Sequence, residues 1–242
     1  MQPVFIFTQS TDLRSIHDRL SIQFGRVPDG ERLDLIDQFV HAFLGSRTYD
    51  QISSHAFERL KKHYHTWDAV ADASEADIEA VIWDVTFPEK KATDLKQALR
   101  MIRAKYGYAS LDFLIGLEIE TALFQLGQIP GVGPKIAAAT LNFSSFHGRA
   151  FVVDTHALRV LRRFGFVRAN ATTENAYDTV MAAADDFDAD GLRELHWHLK
   201  SLGQQICKYA CAQCISCPLS DICMQRVEQG ASMVTQASAC VA

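Results

Sequence analysis

Two residues in this sequence have the type and setting to do covalent chemistry. Lys135 stands in QIPGVGPKIAAAT, residues 128–140, where a proline and two glycines lead into a run of alanines. A lysine in the first turn of a helix meets the positive end of the helix dipole, at a cost of roughly 0.3–1 kcal/mol. That dipole and partial desolvation beside Ile136 both disfavour an ammonium, so more of the side chain is a neutral amine, which is a nucleophile. Further on, FVVDTHALRVLRR brings Asp154 behind an apolar run, at the cap position of a helix anchored by Leu158 and Leu161. A lone Asp before a helix is most simply a cap, but a carboxylate delivered near an awkward lysine also reads as its catalytic partner.

Cysteines form the next set. Five of the six fall within residues 207–223, and Cys240 stands apart. Cysteines bunched at one end of a chain more often hold a metal than staple a small secreted fold. Cys207, Cys214, Cys217 and Cys223 space as C-x6-C-x2-C-x5-C. Structural zinc usually joins two close pairs across a longer spacer, whereas a compact run with a C-x2-C centre suits an iron-sulfur cluster; spacing alone leaves zinc open. Cys211 and Cys240 read as free thiols.

The elements that must position these residues are helices nearly throughout. Residues 31–44, 55–64, 74–83, 90–104 and 118–126 carry apolar positions three and four apart. Ser74 with Asp77 resembles a capping box, and Ser110, Leu111 and Asp112 suggest another helix start. VFIF at 4–7 and FVVD at 151–154 are too short to build a sheet, so the fold class is all-α. Residues 118–143 read as helix, tight turn, helix: Gly127 ends the first, Pro130 to Gly133 turn, and Pro134 opens the second. Gly131 and Gly133 remove side chains where amides at the second helix's start could meet a phosphate. A plain turn between two helices is the competing reading.

At 242 residues the chain suffices for one domain or two small ones. MQPVFIFTQSTD lacks the basic region and long apolar core of a signal peptide, and no apolar run approaches the ~18 residues of a membrane span. A cytoplasmic location is the expectation. The net charge of -5 gives no hint of nucleic acid, yet residues 126–170 hold six cations against Asp154 alone, a window of +5 in a remainder of -10. That asymmetry suits a polyanion footprint, with a solvated basic helix as the bland alternative. His196 and His198 make a poor metal pair at i and i+2 and read as packing residues. Tyr49, Trp67 and Trp83 read as core aromatics, Glu118 and Glu120 as a solvated helix face, and the tail 229–242 as mobile.

Taken together, LFQLGQIPGVGPKIAAATLNF, FVVDTHALRVLRR, LHWHLKSLGQQIC and the cysteine spacing resemble the endonuclease III branch of the helix-hairpin-helix DNA glycosylases, over roughly residues 30–225. The resemblance implies two helical domains with a DNA groove between them. One, residues 28–147, would be a six-helix barrel containing the hairpin; the other, residues 1–27 with 148–242, would carry a [4Fe-4S] cluster on the four cysteines. Lys135 falls on the family's nucleophile and Asp154 on its carboxylate. The implied activity is base removal followed by strand cleavage at damaged or abasic sites in double-stranded DNA, by a nucleoid-associated monomer without a membrane partner. Oxidised pyrimidines are the commonest substrates; alkylated bases, mismatched thymine or uracil, and abasic sites stand beside them.

The resemblance also places DNA contacts at Gly131, Gly133, Arg159 and Lys208, with Arg47 where a glutamine usually fills the gap left by the flipped base and Phe87 where an aliphatic wedge is common. A solvated charge and a core ring are the respective alternatives. The loop from Cys207 to Cys214 holds Lys208 where relatives are richly basic, and Pro134 replaces a basic residue, which points to weak nonspecific DNA affinity. Two other functions compete: an inactive iron-sulfur DNA-binding or redox-sensing module, against which Lys135 and Asp154 argue, and a zinc-stabilised DNA-binding protein.

Overall fold

The computed structural model describes residues 9–27 and 30–225. VFIF at 4–7, Cys240 and the tail from 229 lie outside the described residues. The chain divides into two compact units, Gly30–Ala150 and a second made of both ends, Met1–Asp29 with Phe151–Ala242.

The terminal unit begins with α1 (Gln9–Phe24). The central unit then runs through α2 (Leu35–Leu44), α3 (Asp50–Tyr64), α4 (Trp67–Asp72), α5 (Glu75–Val81), α6 (Pro88–Tyr106), α7 (Ile119–Gly127) and α8 (Pro134–Phe143). The chain returns to the terminal unit for α9 (Thr155–Phe164), α10 (Thr173–Ala183) and α11 (Ala189–Gln205). No strand forms among the described residues; Cys207 and Ala212 make an isolated antiparallel bridge. No helix among them is long and apolar enough to cross a membrane.

Caps set the helix starts. Asp34, Thr66, Ser74, Asp154 and Asp188 each accept an amide from the first turn of the helix they precede, which satisfies a donor the helix itself leaves open. The cap at Asp34 explains why α2 starts at Leu35 rather than 31. α3 begins at Asp50, earlier than its apolar pattern suggests, because its first turn is polar and solvated. Ser110 opens only a 3-10 turn, Asp112–Leu114, its hydroxyl accepting the Asp112 amide at 3.1 Å. α4, α10 and α11 were not delimited by periodicity. α10 is fixed by a reciprocal capping box between Thr172 and Asn175.

Each unit has its own core. In the central unit α2 packs on α8, and α6 on α4 and α5, around Phe39, Phe43, Phe57, Leu95, Leu99 and Leu126. In the terminal unit Leu13, Ile16 and Leu20 of α1 join Phe151, Leu161, Leu195 and Leu199. α9 meets α11 at Gly203, where a Cβ would stand 2.8 Å from the Cβ of His156.

His196 and His198 are buried packing residues: His196 Nδ1 lies 2.7 Å from the Val152 carbonyl and His198 Nε2 2.8 Å from that of Gly25. Trp67 is half-buried, stacked on Phe57, and donates to Asp37 at 2.7 Å. The other two aromatics correct the expectation, since Tyr49 is 82% and Trp83 68% exposed. Tyr49 precedes the buried face of α3, and Trp83 falls beyond the end of α5, its ring 6.0 Å from the Arg59 guanidinium.

Candidate active site and cysteine loop

The hairpin is built as its residues require. α7 ends at Gly127, Val132 donates to the Ile129 carbonyl at 3.1 Å, and Gly131 takes a left-handed φ of 78°. A Cβ at Gly131 would meet the Phe43 ring at 3.0 Å and the Asp94 Cβ at 3.4 Å, so the turn has no room for one. Gly133 differs. It is the N-cap of α8 in an extended conformation, offers no side-chain cap, and has nothing within 4 Å of where a Cβ would be. The start of α8 is therefore open to an approaching group.

Pro134 occupies the first position of α8 and Lys135 the second, as the spacing predicts. Lys135 is half-buried, and its Nζ stands 3.4 Å from the Gly45 carbonyl at the end of α2. Asp154, in the terminal unit, is the N-cap of α9 and 9% exposed, and its Oδ1 accepts the Ala157 amide at 2.7 Å. Burial would raise its pKa, but His196, the Ala157 amide, Lys200 and His156 together outweigh that and hold it below the usual carboxylate range. Asp154 is thus both a cap and a carboxylate that stays ionised at neutral pH.

Arg47 and Phe87 are exposed and share a feature the sequence does not show. Each is a non-glycine residue at φ 57°. Such a backbone persists only where its surroundings enforce it. Here Thr86 does so, donating through its hydroxyl to the Arg47 carbonyl at 2.8 Å and through its amide to the Thr48 hydroxyl at 3.1 Å. Phe87 is 54% exposed directly before Pro88.

The arginines of α9 have hydrogen-bond partners within the terminal unit. Arg159 donates to the carbonyls of Gly203 at 2.7 Å and Cys207 at 2.9 Å. Arg162 serves the Ala171 carbonyl, and Arg163 those of Lys208 at 2.7 Å and Tyr209 at 2.9 Å. Arg159 and Arg163 thereby fasten α9 to the end of α11 and the segment after it, and Arg162 fastens α9 to the loop before α10. Lys208 is exposed, and Arg168 is also exposed.

Cys207, Cys214, Cys217 and Cys223 are half-buried thiols outside any disulfide, while Cys211, expected as a free thiol, is disulfide-bonded. Burial pushes the Cys217 thiol up to about 11; the amide of Leu219 opposes this, and the negative charges of Cys207, Cys223 and Cys214 add to it. Among the described residues no group of three or more His, Cys, Asp or Glu is placed to hold a metal ion. An iron-sulfur cluster would ask for four soft thiolate donors, which Cys207, Cys214, Cys217 and Cys223 would supply.

Endonuclease III-like protein 1 of Gallus gallus is 31% identical over 180 residues, covering 74% of this chain and 60% of that protein. Endonuclease III of Thermotoga maritima is 27% identical over 184 residues, covering 76% of this chain and 80% of its own. The chain spans between 47% and 60% of the length of the first curated relatives it matches. A solved endonuclease III, described as a trapped covalent intermediate with DNA in an estranged-adenine complex, shares the fold with a TM-score of 0.74 at 22% identity, over 91% of this chain and 98% of that one. Residues 40–184 match the HhH-GPD superfamily of base excision DNA repair proteins, and the chain belongs to that family.

Proposed function

We propose that this protein is a bifunctional DNA glycosylase and abasic-site lyase of base excision repair, acting as a monomer on duplex DNA. The observation that carries the reading is Lys135 in the first turn of α8, directly behind the open glycine cap of the hairpin. The likeness to an endonuclease III caught covalently on DNA supports it, since a lysine attacking a sugar carbon yields such an adduct.

The hairpin amides hold a backbone phosphate at the start of α8. A damaged nucleotide swings out of the duplex at an unstacking cost of a few kcal/mol, smallest for a weakened pair. Phe87 and Arg47, on their locked loops, enter the space it leaves. The Lys135 amine attacks the sugar C1′, the glycosidic bond breaks, and the base leaves with the bonding pair and takes up a proton. Asp154, ionised at neutral pH, stabilises the positive charge that develops on the sugar. The bound nitrogen gives up a proton, its lone pair forms the Schiff base as the C1′–O4′ bond breaks, and O4′ takes up that proton. That iminium makes the C2′ proton acidic, and its removal expels the 3′ phosphate.

Cys207, Cys214, Cys217 and Cys223 would hold a [4Fe-4S] cluster, four soft donors matching its thiolate chemistry. When bound it supplies a cross-link for the segment after α11, which Arg159 and Arg163 already fasten to α9.

Borohydride trapping tests the reading. An abasic-site duplex becomes covalently attached to the wild-type chain, and Lys135→Gln abolishes the adduct while leaving the helical circular dichroism intact. Folded wild-type protein that binds the duplex but forms no adduct is instead the inactive DNA-binding module.

A further inference from the structure

Lys91, on α6, reads in the sequence as one more charge in EKKATDLK, yet it is 7% exposed. Its ammonium donates to the Leu44 carbonyl at 2.6 Å, the Ser46 carbonyl at 2.7 Å and the Thr48 hydroxyl at 2.7 Å. The carbonyl between those two, that of Gly45, takes the Lys135 amine. Two lysines from different helices are therefore seated on three successive carbonyls at the end of α2. The same loop carries Arg47, and the backbone amide of Lys91 closes on the Phe87 carbonyl at 3.0 Å.

We propose that Lys91 is a positioning residue for the chemistry assigned to Lys135: a buried cation that shares its carbonyl platform, fixes the loop presenting Arg47, and disfavours a proton on the neighbouring amine. The inference rests on the reading of Lys135 as the nucleophile.

Three acceptors use all three N–H bonds of an ammonium, whereas a neutral amine would leave one unmet. Burial and then the charge of Lys135 push the Lys91 pKa down to about 8, which still leaves it mostly charged at neutral pH. The two like charges repel across the shared carbonyls, so a charged Lys91 disfavours a second proton there. Lys90 pairs with Asp94 at 2.6 Å on the same helix, Glu75 of α5 accepts from Thr93 at 2.7 Å, and Asp68 and Asp72 of α4 hold Arg103.

The test is the pH profile of borohydride trapping on an abasic duplex for wild type, Lys91→Gln and Lys91→Arg. Removing the charge in Lys91→Gln moves the acid limb up by about one pH unit, a roughly tenfold loss at neutral pH that is recovered in alkali. Lys91→Arg keeps the wild-type limb even if its amplitude falls. A limb unmoved in Lys91→Gln, with amplitude lowered equally at every pH, overturns the inference and leaves Lys91 a structural strut. No wild-type adduct at all sinks the nucleophile reading and this inference with it. Should Lys91→Gln fail to fold, competitive acetic anhydride labelling of the wild-type chain decides: Lys135 must acquire label at least one pH unit below the exposed Lys90, and coincident midpoints refute the proposal.

Discussion

The two hairpin glycines should part company on substitution. Gly131→Ala places a residue with a Cβ at φ 78°, for which the left-handed region costs about 1–2 kcal/mol. The added carbon would sit 3.0 Å from Phe43 Cζ and 3.2 Å from Cε2, so the ring must move within a core where it packs on Phe39 at 5.9 Å. Such overpacking costs about 1–3 kcal/mol. A total of about 2–5 kcal/mol, at roughly 4 °C per kcal/mol for a unit of this size, lowers the melting temperature by about 8–20 °C. Gly133→Ala meets neither obstacle: the backbone is extended and the space is empty, so only the weaker alanine cap counts, about 1 kcal/mol or less. Its methyl group instead stands where a phosphate approaches the first amides of α8. Losing one hydrogen bond to a charged group, about 1.5–3 kcal/mol, weakens abasic-duplex binding by about 10- to 100-fold. Thermal melts and fluorescence anisotropy on both variants separate the effects. Gly133→Ala melting as low as Gly131→Ala, or binding DNA like the wild type, refutes the hairpin as a phosphate seat.

Asp154, with its depressed folded pKa, contributes stability that is present above the usual carboxylate range and lost as pH falls through the depressed value. Asp154→Asn keeps the cap, so urea midpoints at neutral pH stay within about 1 kcal/mol of wild type, and the variant loses less stability on acidification while base removal disappears. Arg159→Ala strips the carbonyls of Gly203 and Cys207 of a charged donor, and thermal unfolding should show a loss of about 2–4 kcal/mol in the terminal unit. Cys217→Ser should lose bound iron and visible absorbance together, whereas Cys211→Ser retains both; iron analysis on the purified variants measures this.

Legibility followed the distance over which each cause acts. Helix starts fixed by a capping side chain three residues away, such as Asp34 for α2 and Ser74 for α5, are local, and a reader of the sequence can find them. α10 was equally local, signalled by Thr172 with Asn175, and was missed because its apolar stripe is thin. Lys135 and Asp154 stand out in the sequence because a misplaced cation and an isolated carboxylate are anomalies of type at a given position, and their places at the second position of α8 and the N-cap of α9 follow the spacing. The roles of Arg159 and Arg163 were not legible, because a charge count cannot register that carbonyls some forty residues away consume the donors.

Lys91 lies between these cases. Its type is ordinary, and beside Lys90 nothing in composition tells the two apart. Period does: Lys91 begins the row that continues through Leu95, Ala98 and Ile102, all buried, whereas Lys90 points to solvent. A lysine heading an apolar stripe must either snorkel out or find acceptors inside. At the end of α2 the last carbonyls of a helix have no intrahelical donors, so they supply those acceptors. The same shortage draws Lys135 to Gly45. Two obligations of ordinary folding, a helix end in need of donors and a cation in need of acceptors, thus bring two like charges together where a nucleophilic amine is required.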